Sequence, residues 1–144
     1  AVVTTPLQAK KPLKSTSLMS FKEIAVGDHS FQGKEKPMRL KDLIENPLIS
    51  LGQGSTTYEF YSKFFLENDL VLSPDTEVET IDQVLPLIMN GLGIGFLPEL
   101  IEEGKVCQIP LKENIPEREI CLVENHTFPP SIAADMFKKM LVLK

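Results

Sequence analysis

Apolar and polar positions along the 144 residues fall into short strand-sized blocks separated by longer runs of helical period. The opening AVVTT, Ala1 to Thr5, reads as the second half of a buried strand with no turn before it, so a piece of something larger is expected. A Lys/Ser/Thr-rich stretch to Ser17 carries no clear period and reads as irregular, and LMSFKEIAVG follows as one strand stopped at Gly27. MRLKDLIEN makes a short helix ended at Asn46–Pro47, because a residue before proline avoids helical backbone angles. PLISL reads as a buried strand, followed by a helix from Tyr58 to Asn68 with Tyr61, Phe64 and Phe65 on one face. LSPDTEVE turns into another strand ending near Glu79, and IDQVLPLIMN is a helix closed by Gly91, which suits the left-handed position after a helix end. GIGFLP is a strand, PELIEEG a short helix, and KVCQIPL and REICLVEN are strands. Pro129 and Pro130 open a last helix, with Ile132, Met136, Phe137 and Met140 in one stripe. Strands alternating with helices predict crossover connections, hence an α/β fold with a largely parallel sheet covered on both sides.

Two strand-to-helix turns share a local chemistry. TTYE at Thr56–Glu59 and TIDQ at Thr80–Gln83 both fit a capping box, a hydroxyl at the helix start with Glu or Gln three residues later. Each follows a strand and opens a helix, so both helix starts are expected at the carboxyl edge of the sheet, where open parallel sheets bind ligands. A helix start offers unpaired N–H groups and roughly half a positive charge. Gly54 removes a side chain where a ligand could approach, and Ser55 adds a donor. The pattern suits a small anion or polar metabolite. It equally suits threonines that cap their own helices, and Glu59, Glu77 and Glu79 oppose a strongly charged anion. The residues alone leave these two readings open.

Other chemistries are disfavoured. Ser55, not Lys, follows Gly54, which argues against a triphosphate loop. GLGIGF at Gly91–Phe96 comes after a helix and before a strand, the reverse of a dinucleotide loop, so Gly91 is read as a helix end and Gly93 and Gly95 as close-packing positions. His29 and His126 accompany no nucleophile elbow or zinc spacing, so neither an enzyme nor a metal or cofactor site is expected. The two cysteines lack CxxC spacing and are read as buried thiols in a cytoplasmic protein.

The formal charge of -5 speaks against nucleic acid as a direct partner. Residues 1–41 nevertheless hold eight Lys/Arg against three Asp/Glu, and this basic segment lacks interleaved aromatics, so it reads as a solvated surface. No apolar run reaches the ~20 residues that span a bilayer, and no secretory signal is visible.

LKDLIENPLISL at Leu40–Leu51, the hydroxyl turn after it, and VETIDQVLPLIMNGLGIGFLP at Val78–Pro98 together resemble the effector-binding domain of LysR-type transcriptional regulators. REICLVEN with its Pro-led helix is similar to that domain's return strand and last helix, and AVVTTPL followed by FKEIAVGDHSF to its crossing into the second subdomain. The resemblance implies a periplasmic-binding-protein-like (type II) fold, with one complete lobe over residues 22–118 and remnants of the other over 1–21 and 119–144. It implies a small-molecule effector held between two lobes by Thr4, Thr5, Gly54, Ser55, Thr56, Thr57 and Thr80. Of these, Thr56 is expected to serve its helix, and Gly54, Ser55 and Thr57 to touch the ligand. It further implies a homodimer or higher homo-oligomer, with DNA engaged only through an absent N-terminal winged helix-turn-helix, and no membrane partner. A solute-binding protein of the periplasm, or an enzyme on a related two-lobed scaffold, are the rival readings.

Overall fold

The computed structural model describes residues 1–4, 10–99 and 104–142. The chain divides into two compact units, Ala1–Phe21 with Arg118–Lys144, and Lys22–Glu117. In chain order the elements are β1 (Val2–Val3), β2 (Leu13–Phe21), β3 (Glu23–Gly27), a one-turn 3-10 helix (His29–Phe31), α1 (Leu40–Leu43), β4 (Ile49–Leu51), α2 (Thr56–Glu67) and β5 (Thr76–Val78). There follow α3 (Ile81–Met89), β6 (Gly95–Pro98), β7 (Cys107–Ile109), β8 (Arg118–Asn125) and α4 (Ile132–Val142). Residues 100–103 of the expected PELIEEG helix lie outside the described residues.

In the first unit β8 is the central strand, with β1 and β2 antiparallel on either side. The stretch to Ser17 that reads as irregular is strand, and LMSFKEIAVG is two strands, divided at Lys22. β2 is made by its partner: its pairing runs from Leu13 opposite Asn125 to Phe21 opposite Arg118, with a bulge between Ser17 and Met19. Lys, Ser and Thr show no local period, and tertiary pairing overrides that weak propensity. β1 is an edge strand with Val2 exposed and Val3 half-buried, not the buried strand expected of AVVTT. Pro129 and Pro130 precede the last helix rather than opening it, since Ser131 is its cap, its Oγ accepting from the Ala134 N–H at 3.2 Å. The stripe of Ile132, Met136, Phe137 and Met140 is exposed.

The second unit carries the sheet expected from the alternating pattern. β3 pairs antiparallel with β6 on one side and β7 on the other, and β4 pairs parallel with β5. The two groups join where the Ile49 N–H donates to the Ile94 carbonyl at 2.8 Å and the Ile94 N–H to the Pro47 carbonyl at 2.9 Å, a parallel bridge. The order is therefore β5-β4-β6-β3-β7, with four strands running one way and β3 the other. It is a mixed, largely parallel sheet.

Both faces are covered. On one, Leu40 and Leu43 of α1 and Tyr61, Phe64 and Phe65 of α2 pack with Ala25, Leu48 and Phe96. The Phe65 and Phe96 rings meet edge to face with centroids 6.0 Å apart. On the other face, Val84 and Ile88 of α3 pack with Ile24, Val26, Ile49 and Leu97. Alternate residues of each strand thus feed opposite cores, which is why these strands read as continuous apolar runs.

The close approach of α3 and β4 to β6 depends on two glycines. A Cβ on Gly93 would stand 2.5 Å from the Pro47 carbonyl oxygen, and one on Gly95 3.1 Å from both Ile88 and Val84. Gly93→Ala is expected to destabilise the protein by about 2 kcal/mol or more, because the clash is with backbone at the strand junction. A lower urea midpoint at unchanged slope would show it; an unchanged midpoint would mean that this junction yields without cost.

Candidate functional site

The chain leaves β4 through a tight turn, Gly52–Gln53–Gly54–Ser55, closed by the Ser55 N–H donating to the Gly52 carbonyl at 3.3 Å. Gly54 sits at φ +93°, the left-handed angle that the third residue of a type II turn requires. Ser55 is then extended, and its Oγ accepts from the Tyr58 N–H at 3.0 Å. Ser55 is therefore the cap of α2, and Thr56 its first helical residue. This corrects the expected TTYE box: the Gly54 reversal brings the cap one residue earlier, and the third helical position holds Tyr58 rather than Glu59. Thr56 is exposed, while Ser55 and Thr57 are half-buried.

The second turn keeps the expected register. Thr80 is the cap of α3, and the Gln83 side-chain oxygen accepts from the backbone N–H groups of Glu79 at 3.0 Å and Thr80 at 3.2 Å. Gly91 ends that helix at φ +72°.

Strand direction brings these turns to one edge. Leu51 stands opposite Val78 in the parallel β4–β5 pair, and the Gly52 N–H donates to the Val78 carbonyl at 3.2 Å. Gly54, Ser55, Thr56, Thr57 and Thr80 thus lie beyond the carboxyl ends of adjacent strands. β6 runs the same way, so its last residue, Pro98, is at that edge too, and Glu23 of the reversed β3 is paired with it. Two N–H-rich helix starts favour an acceptor on a ligand. Glu77 tempers them, since a Cβ on Gly52 would come 3.3 Å from its Oε2. Glu77, Glu79 and Asp82 also line a groove of about 630 Å³ along β5 and α3, with Val78, Pro86 and Leu87 as its apolar floor.

Sequence reasoning missed Glu23. It is 5% exposed, and the Tyr61 hydroxyl of α2 donates to its Oε2. Glu23 also lines a polar cavity of about 530 Å³ with Lys22, Glu99, Gln108, Glu113 and others of the second unit. A charged residue beside Lys22 reads as surface; the available signal was its place two residues before the core residue Ala25, on the same face of the strand.

In the first unit Thr4 is exposed, with its Oγ1 accepting from the Arg118 guanidinium at 3.4 Å; Thr5 lies outside the described residues. A cavity of about 700 Å³ in this unit is lined by Val2, Leu122, Phe128, Phe137 and Lys138 among others. Two carboxyls are held below the usual carboxylate range. Asp28 is lowered chiefly by the Ser30 hydroxyl and then its N–H, and Glu124 chiefly by its hydrogen bond from Lys138. Asp28 follows β3 and so lies at the sheet edge opposite these turns. Cys107 and Cys121 are free thiols, and no metal-binding cluster of His, Cys, Asp or Glu occurs among the described residues. No helix among them is long and apolar enough to cross a membrane.

The cap assignment predicts that Ser55→Ala costs about 1 kcal/mol. Thr56→Ala should stay within about 0.5 kcal/mol. Equal losses in thermal unfolding of the two variants would contradict it.

Three comparisons bear on this geometry. Over 64 residues the chain is 34% identical to the HTH-type transcriptional activator CmpR of Synechocystis sp. (strain ATCC 27184 / PCC 6803 / Kazusa), a match covering 44% of this chain and 21% of that protein. It therefore spans only a minor part of that relative's length. Among solved structures, the regulatory domain of Synechocystis PCC6803 CcmR in complex with 2-PG superposes with a TM-score of 0.83 at 14% identity, over 99% of this chain and 71% of that one. The effector binding domain of QuiR in complex with shikimate gives 0.81 at 17% identity, over 96% and 68%. These two carry the fold, a type II periplasmic-binding-protein-like one. The LysR substrate binding domain family model matches residues 1–142, and the chain belongs to that family.

Proposed function

We propose that this chain is the ligand-sensing part of a LysR-type transcriptional regulator, and that its effector is a small polar or anionic metabolite. The observation that carries the reading is the shared edge of the second unit, where the Gly54 turn and the starts of α2 and α3 follow two parallel strands. Backbone N–H groups there meet an acceptor on the ligand, with Thr57 and Thr80 supplying hydroxyls and Gly54 leaving room for approach. Ser55 holds the helix start in place by capping it, and Thr56 adds an exposed hydroxyl. Thr4 and Thr5 remain candidates in this reading through the family resemblance alone. The similar CcmR and QuiR domains are in complex with 2-PG and shikimate, which supports a small-molecule effector here as well.

Sensing needs no bond to be made or broken. An effector that binds one arrangement of the regulator more tightly than another shifts the population toward it, by no more than that difference in affinity. In the whole regulator this shift would reach DNA through a helix-turn-helix segment, within a cytoplasmic homo-oligomer. The units are read as lobes of the effector domain, residues 22–118 as the second lobe and residues 1–21 and 119–144 as parts of the first.

A thermal-shift screen of the full-length protein against organic acids, amino acids and sulfur metabolites tests the reading. At least one compound should raise the melting temperature without turnover, and Thr57→Val should weaken its binding about tenfold, the worth of one good hydrogen bond. No stabilising compound, together with an unchanged promoter response in Thr57→Val, would sink the assignment. Turnover of a hit would move the protein to the enzyme reading.

A further inference from the structure

The carboxyl edge of the second unit carries more negative charge than its neighbouring residues balance. Glu77, Glu79 and Asp82 line the groove of about 630 Å³ along β5 and α3, and among the described residues no Lys or Arg lines it. None of the three carboxylates enters an ion pair among the described residues. Glu59 adds a fourth in the first turn of α2. Against them stand the starts of α2 and α3, each worth roughly half a positive charge. A purely anionic ligand would meet repulsion here, and one that brings its own cation would relieve it.

Glu77 stands where such a cation is called for. In the parallel β4–β5 pair Ser50 is opposite Glu77, so Glu77 shares a sheet face with Ser50 and with Gly52, two residues further on. Gly52 opens the turn whose fourth residue, Ser55, caps α2, and a Cβ on Gly52 would stand 3.3 Å from the Glu77 Oε2. The carboxylate thus reaches the foot of the turn that leads into the N–H groups of α2. A ligand carboxylate on those N–H groups, with an ammonium one carbon away, would set that ammonium toward Glu77. A hydroxyl in the same place could donate one hydrogen bond but would bring no charge. Val78, Pro86 and Leu87, the floor of the groove that Glu77 rims, offer an apolar surface for an aliphatic side chain.

Resting on the reading of this edge as the effector site, we infer that Glu77 determines effector specificity, and that the effector is an α-amino acid with an aliphatic side chain. Its carboxylate meets the start of α2, its ammonium meets Glu77, and its side chain lies along the groove. The corresponding hydroxy acid, which keeps the negative charge and loses the positive one, is the ligand that Glu77 discriminates against.

Calorimetric titration of the full-length protein with L-leucine and with 2-hydroxy-4-methylpentanoate tests this, because the two differ only in the ammonium. Leucine should bind about fivefold more tightly, the upper range for an ion pair at an exposed carboxylate. Glu77→Gln, at an exposed position, should leave the fold intact and reduce that preference to less than about twofold. The hydroxy acid binding as tightly as leucine, or a preference untouched by Glu77→Gln, overturns the inference. A lower melting temperature of Glu77→Gln with the preference intact also overturns it, since Glu77 would then serve only its own helix start. If the hydroxy acid binds as tightly and Thr57→Val weakens both compounds, the edge still holds the effector and only the role of Glu77 falls. Binding of neither compound overturns the inference as well, while a hit in the broader metabolite screen would leave the reading of the edge standing.

Discussion

The second unit turns on a two-bond junction. The Ile94 amide reaches the Pro47 carbonyl and the Ile49 amide reaches the Ile94 carbonyl, and this exchange joins the β4–β5 pair to the strands around β3. It exists because Gly93 has no side chain to meet Pro47, and Gly95 none to meet Ile88 and Val84. Once the junction is made, the order and direction of five strands follow. So does the placing of Gly54, Thr57, Thr80 and Glu23 at one edge, from segments up to 57 residues apart in the chain.

That edge combines opposite electrostatic demands. Helix starts place backbone N–H groups and partial positive charge beyond β4 and β5, while Glu77 and Glu79 stand beside them and Glu23 lies further along. A compact, highly charged anion fits such a surface poorly, because the carboxylates offset the helix fields.

The sheet of the second unit was legible in the sequence because its strands are buried on both faces and its helices keep strict apolar periods, as in Tyr61–Phe65 and Val84–Ile88. The GLGIGFLP segment was legible too, Gly91 being required by the helix end and Gly93 and Gly95 by packing. β2 was not, since Lys14, Ser15, Thr16 and Ser17 become strand only through β8, more than a hundred residues away. The cap of α2 was misread by one residue, because a run of three hydroxyls offers three possible caps and the choice falls to the turn that Gly54 makes. The burial of Glu23 was hard to read: its local mark is its place on the same strand face as Ala25, and Tyr61, which donates to it, comes from 38 residues further along the chain.

The central claim is that a small molecule binds at the carboxyl edge of the second unit. Backbone amide NMR of the protein, titrated with any compound that stabilises it, addresses this residue by residue. The account predicts that the largest shifts fall on Gly54, Ser55, Thr57 and Thr80–Gln83. Shifts concentrated instead on Phe128 and Phe137, around the apolar cavity of the first unit, would contradict it.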